Sequence, residues 1–343
     1  MLEIVFLGTS ASAPSVRRGL PASMVLYRDR RFLVDAGEGT QRQILRSGMG
    51  FRRLDTVLLT HGHLDHILGL GGIASTFERW EAAEKLRIHA GAWALQRVRD
   101  LMEVVLRGEN LGFKIEYLPL EPGIVLRTGE LEVVAFPVKH RGSGNFGFVF
   151  QEHSRRPFLS DRAEALGIPQ GPVRRDLVAG LSATLPDGRV IHPDQVLGDL
   201  QPGTKMVYIG DVARVDELTG ICRGADLLVC ESTYLWADVA TARQYGHLTA
   251  RQAGELARSA GVGQLILTHV SRRYPPREIL AEARAAFPAT LLAEDLQHYA
   301  VFPGRVERVH RSGGRESEAA APSPDLSDEQ LEAMLGGVQR NHP

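Results

Sequence analysis

Four side chains able to ligate a metal, His61, His63, Asp65 and His66, fall within six residues directly after the apolar run 56–60. Alternate histidines on an extended loop turn two imidazoles toward one ion, and the Asp65–His66 pair can then serve a second ion close by. Borderline ions such as zinc favour imidazole nitrogen with carboxylate oxygen, and catalytic centres keep one position open for water. Two ions need more ligands. Three further apolar strands each end in one: His140 after 133–136, Asp211 after 207–210 and His269 after 265–268. The set divides as His61, His63 and His140 on one ion and Asp65, His66 and His269 on the other. Asp211 bridges, because a carboxylate has one oxygen for each metal. Such a pair acidifies water and clamps an in-line phosphoryl displacement.

His247 precedes a helix rather than following a buried strand, so it reads as a proton donor to a leaving oxygen, with Glu231 accepting from its other nitrogen. The remaining histidines, His89, His153, His192, His298, His310 and His342, show no comparable placement and read as structural.

The elements that must hold these residues alternate. Strands are predicted over 3–7, 24–27, 32–35, 56–60 and 86–89, with helices over 40–47, 67–80 and 93–107. The middle is strand-rich (115–118, 124–126, 132–137, 146–151), and a second strand–helix block follows over 205–209, 227–230, 249–259 and 265–268. Two such blocks around a mixed centre predict an α/β fold: two sheets face to face with helices outside, in four layers. The hydrolase domain is expected to cover residues 1–310.

Residues 152–200 break the pattern, with Pro157, Pro169, Pro172, Pro186 and Pro193 interspersed with Gly167, Gly171, Gly180 and Gly188. Elements punctuated this often project rather than join a core, and an insertion of this length is commonly functional. Residues 311–324, rich in Gly, Ser, Glu, Ala and Pro, are expected to be disordered. Ser327, with Gln330 three residues on and Leu326 able to staple onto Leu331, marks a short helix in the tail that follows.

Composition narrows the classes. The chain has 343 residues, a net charge of −1 and two cysteines, Cys222 and Cys230. A near-neutral chain has no general attraction for polyanions, so any polyanion site is a local patch. Two cysteines argue against a disulfide framework and fit a reducing cytosol. The first strand begins almost at Met1 and no apolar run approaches about 20 residues, so neither a targeting segment nor a spanning helix is expected. A cytoplasmic protein is the expectation.

The ligand pattern at His61, His63, Asp65, His66, His140, Asp211 and His269 resembles the metallo-β-lactamase superfamily, and within it the tRNase Z family. Residues 6–9 and 35–43 resemble that family's opening, 230–233 and 246–249 its two catalytic loops, and 165–172 its flexible tRNA-gripping arm. The likeness runs over roughly residues 1–305. It implies an endoribonuclease that removes 3′ trailers from precursor tRNA, with two zinc ions per subunit, although manganese is compatible with the same ligands. It further implies a homodimer in which one subunit's arm presents RNA to the other's active site. Asp65, His247 and Glu231 take the catalytic roles, and Arg18, Gly171, Pro172, Arg174 and Arg175 the substrate contacts. Val16 and Gly19 replace a lysine and an asparagine of the family's CCA-sensing loop, so discrimination against a 3′ CCA end is not implied. The second reading is a related phosphodiesterase or arylsulfatase-like hydrolase of small esters. A metal-free binding module is the third, and the complete ligand set weighs against it.

Overall fold

The computed structural model describes residues 1–80, 84–107 and 112–310. The tail expected to be disordered, with its short helix, lies outside the described residues. Residues Met1–Val309 form one unit. Its first strands in chain order are β1 (Leu2–Gly8), β2 (Ala22–Tyr27), β3 (Arg30–Val34), β4 (Leu54–Leu58), β5 (Lys85–Ala90) and β6 (Lys114–Pro119). They are followed by β7 (Gly123–Thr128), β8 (Leu131–Pro137), β9 (Phe146–Glu152), β10 (Ala183–Thr184), β11 (Val190–Ile191) and β12 (Lys205–Ile209). The last are β13 (Leu227–Glu231), β14 (Gln264–Thr268), β15 (Thr290–Leu292), β16 (His298–Phe302) and β17 (Arg305–Arg308). One sheet runs β17-β16-β1-β2-β3-β4-β5-β6 and the other β15-β14-β13-β12-β9-β8-β7.

Period-two burial explains why the sheets stack. Along β9, Phe146, Phe148 and Phe150 face the layer between the sheets, where Leu2, Ile4 and Phe6 of β1 meet them. The intervening residues face helices instead: Val5 and Leu7 on one side of the molecule, Val207, Ile209, Leu228 and Cys230 on the other. Strands apolar on both faces belong in the middle of a sandwich. The four-layer expectation holds.

Each sheet has a parallel half. β3 to β6 run parallel, with helices Thr40–Arg46, Gly69–Trp80 and Ala92–Val105 between successive strands. β12 to β15 run parallel too, with helices Ala250–Ala260 and Pro276–Ala286 among their connections. Loops after parallel strands are the usual place for chemistry in α/β proteins. Helix Ala250–Ala260 starts on a reciprocal cap between Thr249 and Gln252 and stops at Gly261, φ 61°, which fixes the loop carrying His247.

The insertion is more ordered than its punctuation suggested. It holds helices Ser160–Ala165 and Pro172–Val178 and the β10–β11 ribbon. Its own core is Ala163, Ile168, Leu177, Ala183, Leu185, Ile191 and Val196. The two chains entering it pair at Arg155–Gln201 and Phe158–Leu197. A segment with its own core and a two-stranded stalk is a small module grafted onto the main fold.

Candidate metal centre

Strand ends bring the seven ligand candidates together. His61 and His63 lie on the loop after β4, as expected, but Asp65 and His66 occupy a single helical turn, Leu64–Ile67, capped by extended His63. His140 follows β8, Asp211 follows β12 and His269 follows β14. His61 Nε2 is 2.9 Å from His63 Nδ1, and His140 Nε2 is 3.2 Å from the same atom. Asp211 Oδ2 lies 3.6 Å from both His61 Nε2 and His140 Nε2. Its other oxygen, Oδ1, lies 3.5 Å from His66 Nε2 and 3.2 Å from His269 Nε2. Asp65 Oδ2 is 3.8 Å from each of those two nitrogens.

Ligand atoms on a tetrahedral zinc, each ~2.0–2.1 Å from it, sit about 3.3 Å apart. The separations fit that spacing in both groups. Among the described residues, His66 Nε2, Asp211 Oδ1 and His269 Nε2 are buried with no hydrogen-bond partner. Orphaned buried polar atoms cost ~1–3 kcal/mol each unless something satisfies them. Three converging on one point have the chemistry of a cation site, so the residues fit divalent metal ions.

The surroundings fix each imidazole. Asp35 accepts from the backbone N–H and the hydroxyl of Thr60, at 2.8 Å each, and faces His66 Nδ1 at 2.8 Å. With its proton given to Asp35, the Thr60 hydroxyl accepts from His61 Nδ1 at 3.0 Å, so Nε2 points inward with its lone pair. Glu231 repeats the arrangement: the Thr233 hydroxyl donates to it at 2.6 Å and receives His269 Nδ1 at 2.9 Å, while His247 Nδ1 approaches Glu231 directly at 3.0 Å. His140 Nδ1 is held by the Gly246 carbonyl at 2.7 Å. Such outer partners set tautomer and orientation.

Charge follows this geometry. Burial, with neighbouring imidazoles, pushes His63 down to about 4 and holds His61 well below its ordinary value. Burial also opposes charge on His66, yet the Asp211 and Asp35 carboxylates raise it to about 10. For His247, burial is outweighed by the Glu231 carboxylate and its hydrogen bond, which bring it to about 9.

Backbone strain gathers here as well. Ser12, Asp35 and His269 adopt φ of 57°, 58° and 53°, left-handed conformations costing ~1–2 kcal/mol per non-glycine residue. The Ser12 N–H donates to Asp65 Oδ2 at 3.1 Å, and Ser10 bridges to Val270, next to His269. The rim loop 10–19 is thus tied to two of the loops that carry ligand candidates. Asp65, His140, Asp211 and His247 line an open pocket of about 500 Å³.

The expected substrate contacts are placed differently from one another. Half-buried Arg18 donates to the Thr9 hydroxyl and the Ala293 carbonyl at 2.6 Å each. Arg174 donates to the Ile168 carbonyl at 2.9 Å and lies over Phe158 within the arm. Arg175 is exposed near Asp176, and exposed Gly171, φ 118°, leads into Pro172 at the start of its helix. The reading from sequence missed Asp35, Thr60 and Thr233. It also missed Asp295, which accepts from Thr9 Oγ1 at 2.8 Å and from the Gly19 N–H at 2.7 Å and so anchors both ends of the rim loop. An acidic or hydroxyl residue at a strand end is the signal that could have found the first three. Asp295 has no local signal.

The profile of the beta-lactamase superfamily domain matches residues 30–166 and 174–270. A ribonuclease Z of Bradyrhizobium sp. (strain ORS 278) is 48% identical over 301 residues, covering 88% of this chain and 100% of that protein. A ribonuclease Z of Archaeoglobus fulgidus is 38% identical over 299 residues, covering 86% of this chain and 96% of that protein. Among solved structures, the short form of human tRNase Z superimposes with a TM-score of 0.61 at 22% identity, over 87% of this chain and 99% of that one. That last likeness speaks to the fold alone. Fold, site and relatives agree: the chain belongs to the ribonuclease Z family of the metallo-β-lactamase superfamily.

Proposed function

We propose that this protein is an endoribonuclease that removes 3′ trailers from precursor tRNA, working in the cytoplasm as a homodimer. The observation that carries the reading is the Asp211 carboxylate, divided between two ligand clusters, in a chain 48% identical to a ribonuclease Z along that protein's whole length. His61, His63 and His140 would hold one ion and Asp65, His66 and His269 the other, with Asp211 shared; zinc suits this donor set, and manganese is the alternative. Ions bound there supply Lewis acidity toward the phosphate and a more acidic water.

The chain's own groups supply the rest. The Asp35–Thr60 and Glu231–Thr233 pairs keep the ligating imidazoles in one tautomer. Asp65, partly exposed in the pocket, is the carboxylate placed to orient the attacking water. His247, pinned through Nδ1 by Glu231, presents its other nitrogen to the departing oxygen and gives it a proton. The arm formed by residues 152–200 would hold the folded part of the tRNA through shape and backbone contacts, with Gly171, Pro172 and Arg175 on its exposed surface.

A hydrolase of small esters is the second reading. It is favoured by the arm's arginines, since Arg156 bonds to Asp194, Arg189 to Asp187 and Arg174 to Ile168, leaving fewer for phosphates. Excising residues 156–200 and joining the stalk ends with a short glycine linker separates the two. The metal-loaded variant should still hydrolyse bis(p-nitrophenyl) phosphate while precursor-tRNA cleavage falls at least ~100-fold. Equal loss of both activities, or no loss of either, would refute the arm's role.

A further inference from the structure

We infer that the mouth of the metal pocket is a groove for a single-stranded stretch of RNA, built from guanidinium groups seated on aromatic rings. The inference rests on the RNA-hydrolase reading and says which part of the substrate this mouth takes. Three such pairs surround the pocket. Arg97 lies 5.2 Å from the Trp93 ring, Arg141 5.9 Å from the Tyr245 ring and Arg273 5.9 Å from the Tyr234 ring. They come from different parts of the chain: helix Ala92–Val105, the residue after His140, the residue before Gly246, and the loops beyond β13 and β14. Arg97, Arg141, Tyr234 and Tyr245 line the pocket itself.

Arg97 and Arg141 form no ion pair among the described residues, although Asp65 and Asp211 lie in the same pocket. Arg156 and Arg189, on the arm, are paired. A guanidinium held over a ring has already lost part of its side-chain freedom, yet it keeps its fork of donors for a phosphate. The walls are also fixed relative to the ligands. Trp93 meets His63 edge-on at 5.8 Å, and an added Cβ on Gly62 would come within 3.0 Å of its ring. Tyr245 adjoins the Gly246 carbonyl that holds His140, and Tyr234 meets His247 at 6.1 Å. One wall therefore stands beside His63 and the other beside His140 and His247, with the reacting position between them.

A small phosphodiester needs none of this. A flexible strand passing the reacting phosphate offers what the walls fit: phosphates for Arg97 and Arg141, and unstacked bases for the 43% exposed Tyr245. A duplex would present phosphates but keep its bases paired and stacked, out of reach of Tyr245. The ligand is the single-stranded trailer rather than the folded tRNA body.

The test measures binding of a fluorescein-labelled oligoribonucleotide of about eight nucleotides to the full-length, metal-loaded protein. Anisotropy is read from about 50 to 200 mM KCl. Arg97→Ala and Arg141→Ala should each weaken binding several-fold and reduce the slope of log Kd against log salt by about 0.7, the share of one phosphate contact on a single strand. Tyr245→Ala should weaken binding about tenfold and Tyr245→Phe should restore it, since a phenyl ring stacks as well. Metal content should match the parent protein in every variant. A merely structural arginine would leave the salt slope alone. Unchanged slopes and affinities in both arginine variants, or no binding by the parent protein, would overturn the groove. Precursor-tRNA cleavage with unchanged trailer affinity would leave the endoribonuclease reading standing and remove only this inference. Trailer binding with the expected slopes but no precursor cleavage would do the reverse.

Discussion

A threonine relays a carboxylate to an imidazole twice in this site: Asp35 through Thr60 to His61, and Glu231 through Thr233 to His269. Each carboxylate also holds a second histidine directly, His66 in one case and His247 in the other. The parallel separates roles at the scale of single residues. His66 turns Nε2 into the ligand cluster, whereas His247 stands beside Asp211 at 3.8 Å and lines the open pocket. His247→Ala should therefore keep both ions by elemental analysis while turnover falls ~10²–10⁴-fold, the scale of one acid–base group. Asp211→Ala should lose metal and activity together, because it removes an oxygen from each cluster. Unchanged turnover in the first variant would take His247 out of the mechanism. Two retained ions in the second would show that Asp211 is not shared. The seven ligand candidates could be picked out in sequence because each follows an apolar strand. Asp35 was not read as a partner, because its left-handed backbone and its reach across to Thr60 exist only once β3 and β4 are side by side.

Elements carry these residues to within ångströms, and some do so by leaving side chains out. Gly91 opens helix Ala92–Val105 directly against Gly144, where an added Cβ would lie 2.1 Å from the Gly144 carbonyl oxygen. This contact seats the helix bearing Trp93 and Arg97 against the segment following His140. Gly91→Ala should cost ~1–3 kcal/mol in urea unfolding, as overpacking commonly does; a loss under about 0.5 kcal/mol would mean that the contact is looser than it stands. Most strands and helices of the two parallel halves were readable from apolar runs and caps, but the three-residue β15 was not. Helix Pro276–Ala286 was passed over although Pro276 at its start is a recognised entry signal. Strands β16 and β17 were passed over too, because runs of five and four residues carry too little periodicity to be read as strands. The arm's elements are short, and its seven-residue core shows no periodicity over so few turns. Its module character therefore emerged only from packing.

At the scale of the whole molecule, two parallel half-sheets bring their strand ends to one site, and the arm leaves the main fold after β9 through a paired stalk. Long-range ties keep this arrangement in register: Asp295 reaches Thr9 across 286 positions of sequence. No local reading could have found that tie. Burial extends to the two thiols, for burial pushes Cys222 up to about 12 and Cys230 well above its ordinary value. Among the described residues no helix is long and apolar enough to cross a membrane. The most direct measurement of the central claim incubates the zinc-loaded protein with an end-labelled precursor tRNA that lacks an encoded CCA and maps the product on a sequencing gel. The account expects a single cut beside the discriminator base, abolished by chelation. An intact precursor, from protein that binds two ions and still turns over bis(p-nitrophenyl) phosphate, would contradict it.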